Sequence, residues 1–246
     1  VRHAIGIIPA RYDSKRFPGK PLALLGGVPI IVRVLRIVEE AESVSEACVA
    51  TDDKRIASVV EEHGGHVIMT SENHPTGSDR VAEAALSFPS SHIIVNVQGD
   101  EPFLSSDIVD RIVAALDDPE VLMSTACTPV RADPEAGDPN VVKVVLDEDR
   151  NALYFSRSRV PYDRTGGSEK PTVYRHIGIY GFKRDFLLEF CRMERTPLEK
   201  AESLEQLRVL ENGIKIRSVI VDGTFPGIDS EEDLFKAEEL LRKGQM

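Results

Sequence analysis

The sequence predicts an α/β domain: a mostly parallel central sheet with helices on both faces and a small β-rich insertion. Three observations predict it. Over the first hundred residues, short apolar runs alternate with amphipathic stretches of helical period, as right-handed βαβ units require. The first of these runs is continuously apolar, as in a strand buried on both faces of a parallel sheet. From about residue 121 the pattern changes to closely spaced strand-like segments.

Residues 4–9 (AIGIIP) form the first strand, and after a polar loop residues 29–40 (PIIVRVLRIVEE) space apolar side chains at helical intervals, with Pro29 suited to a first turn. Residues 47–51 read as the second strand and 53–63 as a helix. Gly64 and Gly65 stop that helix before a third strand at 66–70. Residues 77–86 suggest a further helix, followed by the very apolar strand 93–97. The segments 123–130, 141–146 and 152–157 are strand-like, and the last two flank the turn-rich 147–151. A loose stretch at 158–171 precedes a strand at 172–181. Two helices are expected at 184–192 and 198–212, then a strand at 214–221. A last helix begins after Ser230, which with Asp233 resembles a capping box with a shortened acid. The chain reads as a single domain over 1–246, with the β-rich insertion at roughly 131–183.

Composition narrows the function. Thirty Lys and Arg against 41 Asp and Glu give a net charge of −11, so the molecule as a whole repels polyanions. Tryptophan is absent and aromatic content is low, which argues against a stacking platform for single-stranded nucleic acid. Neither nucleic acid nor membrane is expected as a partner, since no apolar run approaches the ~20 residues that span a bilayer. Cys48, Cys127 and Cys191 lie far apart without C-x-x-C spacing, which suits a reducing compartment. The first residues lack a signal-peptide pattern, because Gly6 and Pro9 break the apolar stretch. A cytoplasmic location is expected.

The most informative segment is 11–20 (RYDSKRFPGK), with Arg11, Lys15, Arg16 and Lys20 against Asp13 alone. It follows the first strand directly and so lies at that strand's carboxyl end, where open α/β sheets bind ligands. Gly19 allows close backbone approach, and Pro18 and Pro21 stiffen the loop. Several cations on a stiff loop suit a triphosphate, whose charge grows on the departing pyrophosphate. The loop is no G-x-x-x-x-G-K-[ST], and no G-x-G-x-x-G follows the strand, so kinase, ATPase and dinucleotide dehydrogenase readings lose their support.

Residues 74–80 (HPTGSDR) combine a helix start with small polar groups. Thr76, Gly77, Ser78 and the exposed N–H groups can meet a pyrimidine edge, and Thr76 or Ser78 serves equally well as an ordinary N-cap. Asp100 sits just past the strand 93–97, placed to hold a cation over the sheet edge. Asp229 follows a strand and a Gly-containing turn, a comparable placement that also fits a helix N-cap. Magnesium takes one or two carboxylates and completes its octahedron with phosphate oxygens and water.

The stretch IIPARYDSKRFPGKPL resembles the signature loop of the 3-deoxy-manno-octulosonate (Kdo) cytidylyltransferases, within the wider class of sugar nucleotidyltransferases. The resemblance continues in order through VATDD, HPTGSDR, NVQGDEP, NVVKVVLD, ALYFSRS, RHIGIYGF, LEQLRVLENG and PGIDSEEDL, and so covers nearly the whole chain. It implies a Rossmann-like nucleotide-diphospho-sugar transferase fold. The implied reaction transfers CMP from CTP to Kdo, giving CMP-Kdo and pyrophosphate, the activation step for building Kdo into lipopolysaccharide. It places Arg11, Ser14, Arg16 and Lys20 on the triphosphate, and Thr76, Gly77, Ser78, Arg80 and Gln98 around the cytidine. Asp100 and Asp229 are assigned to Mg2+, with Glu101 left out as the rival ligand. Lys20, Arg11, Asp100 and Asp229 become the catalytic set. The sugar acid falls to Gln98, Arg157, His176, Tyr180, Glu205 and Gln206, with Arg157 as the fork for its carboxylate. A homodimer with part of the insertion at its interface is also implied.

The rivals are a cytidylyltransferase for another acceptor, a glycosyltransferase, and a non-catalytic nucleotide sensor. A glycosyltransferase metal site usually needs D-x-D, and the one match, Asp147–Asp149, falls in an expected hairpin turn.

Overall fold

The computed structural model describes residues 4–13, 16–130, 133–164, 171–223 and 225–242. The chain opens on β1 (Ala4–Ala10), makes a 3-10 turn at Lys20–Leu22 and the short pair β2 (Leu24–Leu25) and β3 (Val28–Pro29), then enters α1 (Ile30–Glu39). β4 (Val44–Thr51), α2 (Lys54–Glu62), β5 (His66–Met69), α3 (Gly77–Ala85), β6 (Ile93–Val97) and α4 (Ser106–Ala114) continue the alternation. β7 (Met123–Pro129), α5 (Asp133–Gly137), β8 (Lys143–Leu146), β9 (Ala152–Ser156) and β10 (Tyr174–Lys183) follow. The chain ends with α6 (Arg184–Phe190), α7 (Pro197–Glu202), α8 (Leu207–Glu211), β11 (Ile216–Ile220) and α9 (Glu231–Arg242).

The main sheet runs β11-β7-β10-β6-β1-β4-β5, with β8 pairing β10 and β9 pairing β8. β1 pairs in parallel with both β4 and β6, β4 with β5, and β7 with β11, while β10 runs antiparallel to β6 and β7. On this path only β10 is reversed. After β1 the chain builds outward to β4 and β5, then returns to lay β6 on the other side of β1. The carboxyl ends of β1 and β6 therefore flank a topological switch point, the crevice where such sheets take ligands.

Period-two alternation splits the core between the sheet's faces. Ala4 and Ile8 of β1 and Val95 and Val97 of β6 pack with Ile31, Leu35 and Val38 of α1, Ile56 and Val60 of α2, and Ile108 and Ile112 of α4. Ile5 and Ile7 of β1 and Ile94 of β6 face Val81 and Ala85 of α3, and Phe186, Leu187 and Phe190 of α6. Gly64 stops α2 in the left-handed region at φ 81°, as its sequence position suggests.

The structure departs from expectation in several places, the short α5 and the β2–β3 pair among them. The helix expected over 198–212 is two helices, α7 and α8, because Ser203 turns left-handed at φ 54° and ends α7. A single non-Gly residue in that conformation gives no composition signal. Helix α4 is absent from the expectations above, although buried Ile108, Val109, Ile112 and Val113 have helical spacing. Half of the capping box before α9 is present: Asp233 N donates to Ser230 Oγ at 3.2 Å, while the shorter Asp233 side chain accepts from Ser230 Oγ at 2.7 Å and, one residue early, from Asp229 N at 3.2 Å.

Candidate active site

The basic turn is held from beneath. Gly19, at φ 74°, donates its N–H to Tyr12 O at 2.9 Å. The guanidinium of Arg55 lies 3.3 Å from the Tyr12 ring centroid and is itself gripped by Asp53 at 3.0 and 2.6 Å. Phe17 is buried with Leu25, Ile30 and Ile228. A turn fixed at three points delivers Lys20 to the switch point at the start of the 3-10 turn.

There Lys20 Nζ donates to Asp100 Oδ2 at 2.8 Å and to Asp229 Oδ1 at 3.2 Å, joining carboxylates 80 and 209 positions away in sequence. Arg16 Nη2 donates to Asp229 Oδ2 at 3.0 Å. The two acidic loops are also tied through their backbones, since Ile228 N donates to Asp100 O at 3.1 Å. Burial alone lowers the Lys20 pKa, but the Asp100 carboxylate, then Asp229, more than offset it, so the ammonium titrates above its ordinary value. Two carboxylates sharing one cation are the donor set that magnesium takes, and among the described residues no cluster of three or more acidic, His or Cys side chains offers another. Glu101, beside Asp100, is different. Burial, with Asp100 adding, pushes its carboxyl up to about 8, and Lys20 does not reach it.

Beside this cluster a narrow cleft of about 100 Å3 is lined by Pro9, Ala10, Arg11, His74, Thr76, Gly77, Arg80 and Gln98. It opens at the start of α3, where Thr76 is the N-cap, accepting from Asp79 N at 3.3 Å. Arg80 is 5% exposed, fixed by Asp52 at 2.9 Å and Thr70 at 2.5 Å, and lends the cleft a positive wall. His74 is bonded to Glu83 and also lines the cleft, a contact given no role in the sequence analysis. Ser78 is not among the lining residues; its hydroxyl donates to Glu205 Oε1 at 2.5 Å. Ser14 and Lys15 lie outside the described residues. A wider surface hollow elsewhere is walled by Glu40, Glu42, Asp107 and Asp110 and repels a nucleotide.

A model of the family described as Cytidylyltransferase matches residues 5–216. A 3-deoxy-manno-octulosonate cytidylyltransferase from Myxococcus xanthus is 47% identical over 238 residues, covering 97% of this chain and 96% of that protein. Its counterpart from Desulfatibacillum aliphaticivorans is 46% identical over 239 residues, covering 96% and 97%. The chain belongs to the 3-deoxy-manno-octulosonate cytidylyltransferase family. A solved structure described as CMP:2-keto-3-deoxy-manno-octonic acid synthetase complexed with CTP superposes with a TM-score of 0.92 at 40% identity, over 98% of this chain and 99% of that one.

A cytidylyltransferase of this family needs a second subsite, and the remaining expected residues gather on β10, the end of β9 and the α7–α8 turn. Arg157 follows β9, and its guanidinium plane is set by Glu202 O at 2.8 Å and Pro139 O at 3.0 Å. Glu202 also accepts from Ser156 Oγ and Arg157 N, a brace the sequence did not reveal. His176 lies between the Phe155 and Tyr180 rings. Burial, then the charge of Arg175, depresses its pKa to about 3, so the ring is neutral. Thr125 Oγ1 donates to Ile179 O at 2.8 Å, so it accepts from His176 Nε2–H at 2.8 Å. That network assigns the Nε2–H tautomer and leaves Nδ1 as an acceptor, which suits a sugar hydroxyl and not a carboxylate. Tyr180 is buried on the same strand, and the Gln206 amide has a buried Nε2 without a partner among the described residues.

Proposed function

We propose that the chain transfers CMP from CTP to 3-deoxy-manno-octulosonate, releasing pyrophosphate. The observation that carries this reading is the Lys20 ammonium shared by Asp100 and Asp229, with Asp100 two positions beyond Gln98 of the cleft wall. In the proposed reaction the anomeric hydroxyl oxygen of the sugar acid attacks the α-phosphorus of CTP in line. One P–O bond to the sugar forms as the bond to pyrophosphate breaks, with no covalent enzyme intermediate. Lys20, Arg16 and Arg11 balance the charge that collects on the leaving group. Asp100 and Asp229 would hold Mg2+, which when bound supplies Lewis-acid charge to the phosphoryl oxygens. Arg157 receives the sugar carboxylate, while His176, Tyr180, Glu205, Gln206 and Gln98 serve hydroxyls.

Pyrophosphate release measured with CTP and Kdo, with and without Mg2+, tests the reading. Release is expected only when all three are present, with other sugar acids giving far less. Release that ignores Kdo, or binding of CTP without any release, would show a different activity.

We further propose a cytoplasmic homodimer. No described helix is long and apolar enough to cross a membrane. Leu153 and Tyr162, 59% and 85% exposed, sit in the insertion at 131–183 and gain from being covered by a second copy. Sedimentation velocity is expected to give a species of twice the chain mass, and Leu153→Glu to shift it toward one chain; a parent sedimenting as a single chain rules the dimer out.

A further inference from the structure

Asn96 is an anomaly in its strand. β6 reads IIVNV at the centre of the sheet, and Asn96 is 0% exposed on the face that packs against α3. A buried amide is costly unless its groups are bonded, so its partners say why it is there. Gln98 Nε2 donates to Asn96 Oδ1 at 3.3 Å, Asn96 Nδ2 donates to Ser78 Oγ at 3.4 Å, and Ser78 Oγ donates to Glu205 Oε1 at 2.5 Å. All three bonds run one way. The amide orientations are those the network assigns, and with Asn96 donating to it the Ser78 hydroxyl proton is directed at Glu205. The relay begins at Gln98, which lines the cleft, and ends at the half-buried carboxyl of Glu205, next to buried Gln206. Tyr180 is the direct register partner of Asn96 across β10 and β6.

We infer that Ser78 and Asn96 are positioning residues for the acceptor sugar acid: they fix the rotamer of Glu205, so that Ser78, although it lies in the base-reading segment, governs affinity for the acceptor and not for the nucleotide. The inference rests on the proposed Kdo-activating function. Ser78 is 1% exposed and its oxygen is engaged by Asn96 and Glu205, so it has no surface to offer cytosine. A carboxylate held by a directed hydroxyl is pre-organised to accept from a sugar hydroxyl, and a carboxylate without it must be ordered on binding.

The experiment is a split of Michaelis constants. Ser78→Ala is expected to raise KM for Kdo about tenfold, the worth of one hydrogen bond, and to leave KM for CTP within about twofold. Calorimetry of Kdo binding to protein saturated with CTP in EDTA is expected to show the same tenfold loss without turnover. Asn96→Leu should act in the same direction, and Ser78→Ala with Asn96→Leu should cost no more than the worse single change, because either breaks one chain. Should Asn96→Leu fail to fold, Ser78→Ala, a small exchange inside a helix, decides alone. A rise in KM for CTP, or an equal rise in both constants, would overturn the inference while leaving the function intact. A parent protein that releases no pyrophosphate with Kdo would overturn the function and this inference together.

Discussion

Lys20→Met is expected to lower kcat/KM for CTP by about a thousandfold, in keeping with the loss of a charge-stabilising donor at the reacting phosphates. The side chain of Lys20 is only 14% exposed and reaches both Asp100 and Asp229. Its replacement removes the cation that balances the leaving pyrophosphate and leaves the two carboxylates only Arg16, bonded to Asp229, as a counter-charge. Both the rate and the affinity for the triphosphate fall. Without substrate the variant is also less stable, by about 1 kcal/mol after discounting for the partial exposure of both acids. If the two carboxylates hold Mg2+ as proposed, the ion has no ammonium to displace in the variant and is expected to raise the thermal midpoint of Lys20→Met more than that of the parent. The pH dependence follows from the sign of the shift. A pKa raised above 10.5 gives a stabilisation fully present below the unfolded value and lost only as pH climbs through the folded one. The stability gap between parent and variant should stay constant from about pH 6 to 9 and close in more alkaline solution. Scanning calorimetry with and without Mg2+ measures each of these. A variant with unchanged kcat/KM for CTP would remove Lys20 from the mechanism.

How much of this was legible beforehand depends on which physical signal each residue carries. Lys20 and Asp100 announce themselves by position, since each follows a strand of a parallel sheet and both strands end at the switch point. Asp229 does not. Its meeting with Asp100 depends on the crossing of β10 and on the backbone bond from Ile228, and neither leaves a trace in local pattern. Only likeness to a family could pair them. Ser78 carries two signals: its place in HPTGSDR points to the base, while its buried hydroxyl is held by Asn96 and Glu205 and is not among the residues lining the cleft. Asn96 was passed over in a strand read as very apolar, although a polar residue there is a composition conflict of the kind that marks a site. The brace of Glu202 on Arg157 joins a strand end to a helix 45 positions later, and sequence spacing cannot reveal that contact.

Asp100→Asn is expected to reduce turnover at least about a hundredfold while CTP binding stays measurable. The exchange keeps shape, and the new amide oxygen can still accept from Lys20, so the local fold has no reason to move. What changes is charge. With one carboxylate left at the site, affinity for Mg2+ falls, and activity should rise only at metal concentrations more than about tenfold above those the parent needs. The cleft residues Arg11, Thr76, Gly77 and Arg80 are untouched, which is why the nucleotide still binds. Glu101→Gln is the informative control. It exchanges the neighbouring carboxyl, which burial pushes up to about 8, for an amide of the same shape, and with the metal on Asp100 and Asp229 it is expected to change little. Mn2+ binding followed by electron paramagnetic resonance separates the two variants without turnover: weakened in Asp100→Asn, close to parental in Glu101→Gln. The reverse order would move the metal to Glu101, and turnover of Asp100→Asn within about threefold of the parent would take Asp100 out of the reaction.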